Sequence, residues 1–73
     1  MLDMKDVRKR FDAAGYSVNK YARKVGVDPA YVVRILDGTD RPDWRRSPKY
    51  RLLMETLKKD GVYEGRLPWE GAA

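Results

Sequence analysis

Seventy-three residues carry 16 Lys/Arg against 11 Asp/Glu, with no cysteine and no histidine, for a formal net charge of +5. A chain this short forms one small domain that buries only about 60% of its unfolded surface, and without cysteine no disulfide or thiolate metal site supports it. The commonest general base and metal ligands are missing too, so catalysis is not expected, and neither is a metal or cofactor.

The positive charge does not sit in a tail. Residues 1–36 hold eight Lys/Arg against four Asp (+4), residues 37–51 five against three (+2), and residues 52–73 three against four (−1). That distribution suits a polyanion-binding surface, although +5 also serves ordinary solubility. No run approaches the roughly twenty apolar residues that span a bilayer, and the start, MLDMKDVRKR, is charged almost at once. No membrane partner is expected, and the chain reads as cytoplasmic.

In chain order, Asp3 reads as the N-cap of a first helix over about residues 4–14, with Asp6 near the positive end of its dipole. Met4, Val7, Phe11 and Ala14 form its apolar stripe, and Gly15 ends it. Lys5, Arg8, Lys9, Arg10 and Asp12 have two readings, a solvated outer face or, for the lysines and arginines, reach to a phosphate, and the first is preferred.

Ser17 is expected to cap a second helix over about residues 18–25. Tyr16 and Tyr21 have the spacing of a hydrophobic staple across that cap. The first turn of this helix presents free backbone N–H groups suited to a DNA phosphate. Ser17, Asn19, Lys20 and Arg23 are therefore candidate phosphate contacts, which position a protein without reading sequence. Tyr21, Ala22 and Val25 share the inward face. Gly26 suits the left-handed conformation that stops a helix abruptly, and Asp28-Pro29 is a cap-plus-proline restart.

A third helix over about residues 29–36 follows, closed by Asp37-Gly38. At about 100° per residue, its buried side centres between Val32, Ile35 and Leu36. The opposite side carries Ala30 and Arg34, with Tyr31 and Val33 on its flanks. A small residue permits close approach, an arginine can bond guanine bidentately, and apolar groups can touch a thymine methyl. Ala30, Tyr31, Val33 and Arg34 are thus candidate base contacts in a major groove. Helix, sharp corner and helix within about twenty residues make the helix-turn-helix pattern.

The connection TDRPDWRRSP has the mixed composition of an irregular loop. Arg41, Arg45 and Arg46 are its candidate phosphate contacts. Trp44 has two readings: it stacks on a sugar or base, or it covers the edge of the core, and the second is preferred. Ser47-Pro48 starts a fourth helix that runs to about Lys59, with Tyr50, Leu53, Met54 and Leu57 on one face. Residues 1–61 make the domain, and residues 62–73 a short irregular tail. Val62, Tyr63, Leu67 and Trp69 are too apolar for an idle tail. Two readings stay open: the tail folds back on the core, or it is an arm that contacts a second subunit or a protein partner through Tyr63, Leu67 and Trp69.

These residues resemble the helix-turn-helix of the lambda repressor and Cro group, the Xre-type family. The family pattern has an apolar residue followed by alanine in the first motif helix, an apolar-Gly-apolar corner, and two apolar positions in the second. Here these are Tyr21-Ala22, Val25-Gly26-Val27, Val32 and Ile35, and Leu36-Asp37-Gly38 with the basic loop looks like the Leu-Asn-Gly plus Arg of many members. The resemblance covers roughly residues 4–61, and the short length is similar to small phage or prophage regulators. It implies an all-α, compact four-helix DNA-binding domain, with Pro29, Ala30, Tyr31 and Arg34 at the base edges. Three departures stand out: Asp37 replaces the usual asparagine, Pro29 replaces a glutamine common in the family, and a fifth helix that forms the dimer contact in some relatives is missing.

The expected function is sequence-specific double-stranded DNA binding, as a repressor that occupies a promoter. A homodimer on half-sites about 34 Å apart would supply the affinity that one module lacks. The alternatives are an excisionase-like architectural protein on the same fold and an antitoxin-like module that captures a partner with its tail.

Overall fold

The computed structural model describes residues 4–70, which form four α-helices and, among the described residues, no strand. Helix α1 is Met4–Ala13, α2 Val18–Val25, α3 Pro29–Asp37 and α4 Pro48–Lys59. Asp3, the expected cap of α1, lies outside the described residues. No helix among them is long and apolar enough to cross a membrane.

Helix α3 lies at the centre, packed on both α1 and α2, while α2 also touches α4. Its inward residues Val32, Ile35 and Leu36 meet Val7 and Phe11 from α1, Tyr21, Ala22 and Val25 from α2, and Leu53, Met54 and Leu57 from α4 in one buried cluster. Full burial of one such aliphatic side chain contributes about 1.5–3 kcal/mol, so the helix that faces solvent on one side is anchored on the other.

Local chemistry sets the angles. Tyr16 and Tyr21 bracket the start of α2 edge-on at 5.2 Å, and both rings pack on Phe11 at 5.4 and 5.2 Å. This staple fixes how the chain approaches α2. Ala14, expected in the apolar stripe, is exposed instead, because α1 ends at Ala13 and Gly15 turns left-handed (φ 80°) to bring Tyr16 onto the core edge. At the corner between α2 and α3, Gly26 takes φ 90°, and the Ala22 carbonyl accepts from the N–H groups of Gly26 (2.7 Å) and Val27 (2.9 Å).

The segment after Gly61 folds back. Val62, Tyr63 and Leu67 are only 2, 7 and 3% exposed and belong to the core cluster. The Leu57 carbonyl accepts from the N–H groups of Val62 (2.9 Å) and Tyr63 (3.2 Å), which turns the chain over the end of α4. Lys58 then bonds both oxygens of Glu70 (2.5 and 2.6 Å), and Arg10 of α1 pairs with Glu64 (2.7 Å). Tyr63 and Leu67 are therefore core residues rather than partner contacts, since contact with a partner would require their removal from the core. Trp69 is half-buried, with its indole N–H donated to Glu55 (3.0 Å).

One polar tether joins α2 to the end of α4. The Tyr21 hydroxyl (2.8 Å) and the Lys24 ammonium (2.7 Å) both donate to the same oxygen of Asp60. The Lys24 bond holds the Asp60 carboxyl below the usual carboxylate range; the Tyr21 bond adds to this, while burial opposes it. Burial and the bond to Asp60 push the Tyr21 phenol upward. A depressed carboxyl stabilises the fold above its unfolded pKa of about 3.9 and loses that contribution as pH falls through its folded value. Asp60→Asn should cost about 1–2 kcal/mol at neutral pH in urea unfolding, the Lys24 end being solvent-screened. The difference from the parent chain should shrink below about pH 4. A difference that ignores pH would show that the ionised carboxylate is not what stabilises the tether.

Candidate nucleic-acid interface

The candidate contacts come from the start of α2, the outer side of α3 and the loop before α4. Ser17 occupies the N-cap position of α2 with extended backbone (φ −93°, ψ 132°), but its hydroxyl makes no capping bond. The Tyr16–Tyr21 staple does the holding there, and the expectation that the Ser17 side chain caps is corrected. Ser17, Asn19, Lys20 and Arg23 are all exposed. Lys20 and Arg23 lie three residues apart on one side of α2, and neither forms an ion pair with a described residue. The next cation, Lys24, is tied to Asp60 (2.7 Å) and so is not available to them.

Helix α3 begins as its sequence implies. Asp28 accepts from the Ala30 N–H (2.9 Å), and Pro29 takes the first helical position. Ala30 and Arg34 are exposed, whereas Tyr31 and Val33 are half-buried. Tyr31 packs against the core edge, and its hydroxyl lies 3.5 Å from the Ser47 Oγ at the N-cap of α4. That contact sets the loop cations beside the front half of α3. Asp37 is drawn away: it pairs with Arg8 of α1 at 3.7 Å.

The loop has more order than its composition promises. The Asp43 carboxylate accepts from the Arg45 N–H (3.0 Å) and its carbonyl from the Arg46 N–H (2.9 Å), a tight turn directly before Ser47. Arg45 and Arg46 are exposed, and neither has an ion-pair partner among the described residues. Arg45 lies over the Trp44 ring at 5.3 Å, and Trp44 in turn packs on Trp69 at 5.7 Å. Trp44 thus covers Trp69 rather than the main core. Arg41 parts from the other two. It borders a cleft of about 400 Å³ that is floored by Ile35, Met54 and Tyr63. Tyr50 lies in the same cleft, its phenol pushed up by burial while Arg41 works the other way.

Asp40 was not singled out from the sequence, and Ser47 was read there only as the start of α4. Asp40 stands 3.9 Å from Arg34 Nε, and Ser47 reaches Tyr31. Gly38, left-handed at φ 73°, was the available signal for the first, because such a turn folds the following residues back along the helix. No protein-family model, curated protein or solved structure matches the chain.

Proposed function

We propose that this chain is a sequence-reading, double-stranded DNA-binding regulator, a repressor that acts by occupying a promoter and performs no chemistry of its own. Helix α3 enters the major groove with Ala30 close to the bases and Arg34 reading them, flanked by Tyr31 and Val33. Lys20, Arg23, Arg45 and Arg46 lie against phosphates, and Ser17 and Asn19 offer polar groups at the start of α2. Arg41 adds charge from the far end of the loop. Two copies on symmetry-related half-sites supply the affinity, in the cytoplasm.

One observation carries this reading: exposed cations without ion-pair partners stand on both elements that flank the outer side of α3, as Lys9, Lys49, Arg51, Lys59 and Arg66 do elsewhere on the surface. Arg8, Arg10, Lys24 and Lys58 are neutralised by carboxylates of the chain itself. Lys20, Arg23, Arg45 and Arg46, on the elements beside α3, have no such partner among the described residues. Two such pairs of like charges, Lys20 with Arg23 on α2 and Arg45 with Arg46 in the loop, repel within each pair and cost stability, a cost that a polyanion offsets.

The test is selection of binding sites from a randomised duplex library at near-physiological salt, where nonspecific attraction does not enrich everything. Enrichment of paired half-sites one helical turn apart is the expected result. A single short site would remove the dimer and keep the reader. No enriched motif at all would overturn the regulator reading.

A further inference from the structure

Among the cations assigned to DNA, one is held differently. Lys20, Arg23, Arg45 and Arg46 pair with no carboxylate among the described residues, yet Arg34 has Asp40 3.9 Å from its Nε. The placement of Asp40 is a matter of backbone, not chance contact. Past Gly38 the chain doubles back, and the Arg34 carbonyl accepts from the N–H groups of Thr39 (3.1 Å) and Asp40 (3.3 Å) and from the Thr39 hydroxyl (3.2 Å). Asp40 is thereby fastened to the residue whose side chain it faces. On the other side, the Arg34 guanidinium lies 6.0 Å from the Tyr31 ring, and Tyr31 is itself placed by Ser47. The contact with Asp40 uses Nε and leaves the two terminal nitrogens, the pair that matches guanine O6 and N7. A phosphate needs charge nearby and little direction; a base edge needs direction.

We infer that Asp40 is a positioning residue for base readout: its charge, 3.9 Å from Nε, biases the Arg34 side chain toward orientations in which the terminal nitrogens of the guanidinium face guanine. This rests on the proposed DNA reading, and it adds a specificity determinant outside the recognition helix. Asp40 touches no base. It removes rotamer freedom that Arg34 would otherwise lose on binding, and that loss falls hardest on the matched site. An exposed ion pair of this kind carries an effect of about two- to fivefold.

The experiment compares the full-length chain with Asp40→Asn and Arg34→Ala and their combination. Affinities are measured on a selected duplex, on the three duplexes altered at the base pair that Arg34→Ala relaxes, and on an unrelated duplex, all at one salt concentration. Asp40→Asn should lower discrimination at that one base pair about two- to fivefold. Loss of the negative charge should leave affinity for the unrelated duplex equal or higher. In the Arg34→Ala background the same substitution should not alter discrimination. A merely structural role would weaken every duplex together and lower the melting temperature. Equal gains on all duplexes, with discrimination intact, would make Asp40 a simple repulsive charge. Either result overturns the inference while leaving the DNA reading in place. Failure of the parent chain to discriminate any duplex would overturn both.

Discussion

A chain ending at Gly61 should not fold cooperatively at 37 °C. The cut removes Val62, Tyr63 and Leu67, all in the core cluster, and side chains of this size contribute about 1.5–3 kcal/mol each on full burial. Together that is about 4–9 kcal/mol, against a total stability of about 5–15 kcal/mol for a natural domain. It also removes the Lys58–Glu70 and Arg10–Glu64 pairs. Thermal unfolding followed by circular dichroism should show a broad transition or none. The milder Leu67→Ala should keep the fold and cost about 2–5 kcal/mol, because it opens a cavity without removing the backbone that closes over α4. A truncated chain that melts within a few degrees of the parent would mean that the segment is an accessory after all. The same physics changes how any partner-capture experiment by truncation must be read: loss of binding would report loss of the domain.

The helices were legible because each has its own local instructions. Asp28-Pro29 and Ser47-Pro48 mark starts, Gly15, Gly26 and Gly61 mark ends, and the three- and four-residue spacing of apolar residues gives each helix a face. Val32, Ile35 and Leu36 are buried as that spacing requires, and Ala30 and Arg34 are exposed opposite them. The tail was ambiguous for a physical reason. Tyr63 and Leu67 are apolar whether they cover their own core or another molecule, and periodicity says nothing about which apolar surface an irregular segment meets. Ser17 shows a subtler limit, since residue type and backbone position were right for a cap but the hydroxyl makes no bond to the helix N–H groups. Contacts between charged residues distant in sequence left no local trace at all. Asp60 with Lys24 and Tyr21, or Glu64 with Arg10, depend on how helices pack, and only the packed structure brings them together.

The loop illustrates how the candidate interface divides. Trp44 was set between stacking on nucleic acid and covering the core edge, and it covers Trp69, with Tyr50 next in line at 6.0 Å from Trp69. That aromatic row fixes the turn from which Arg45 and Arg46 project, so packing in one place orders charge in another. Arg41, four residues earlier, falls beside the cleft near Tyr50 and is the least closely grouped of the proposed phosphate contacts.

On the proposed reading, Arg34→Ala and Arg45→Ala should weaken DNA binding in two different ways. Arg34 is 54% exposed, with Asp40 as its carboxylate partner. Its loss should cost about 1–3 kcal/mol on the selected site and flatten preference at one base pair, with little change on an unrelated duplex. Arg45 has no carboxylate partner among the described residues and lies over Trp44. Its loss should weaken binding to every duplex alike and reduce the slope of log affinity against log salt by about one unit. The stacked guanidinium also contributes about 0.5–1 kcal/mol to the order of its turn, so the melting temperature of Arg45→Ala must be measured beside its affinity. Titrations of both variants on matched and unrelated duplexes at several salt concentrations separate the two behaviours. Unchanged site affinity in Arg34→Ala would mean that the outer face of α3 does not read bases. Equal, salt-sensitive losses in both variants would mean that α3 contributes charge alone, and sequence preference would then have to come from the shape of the DNA.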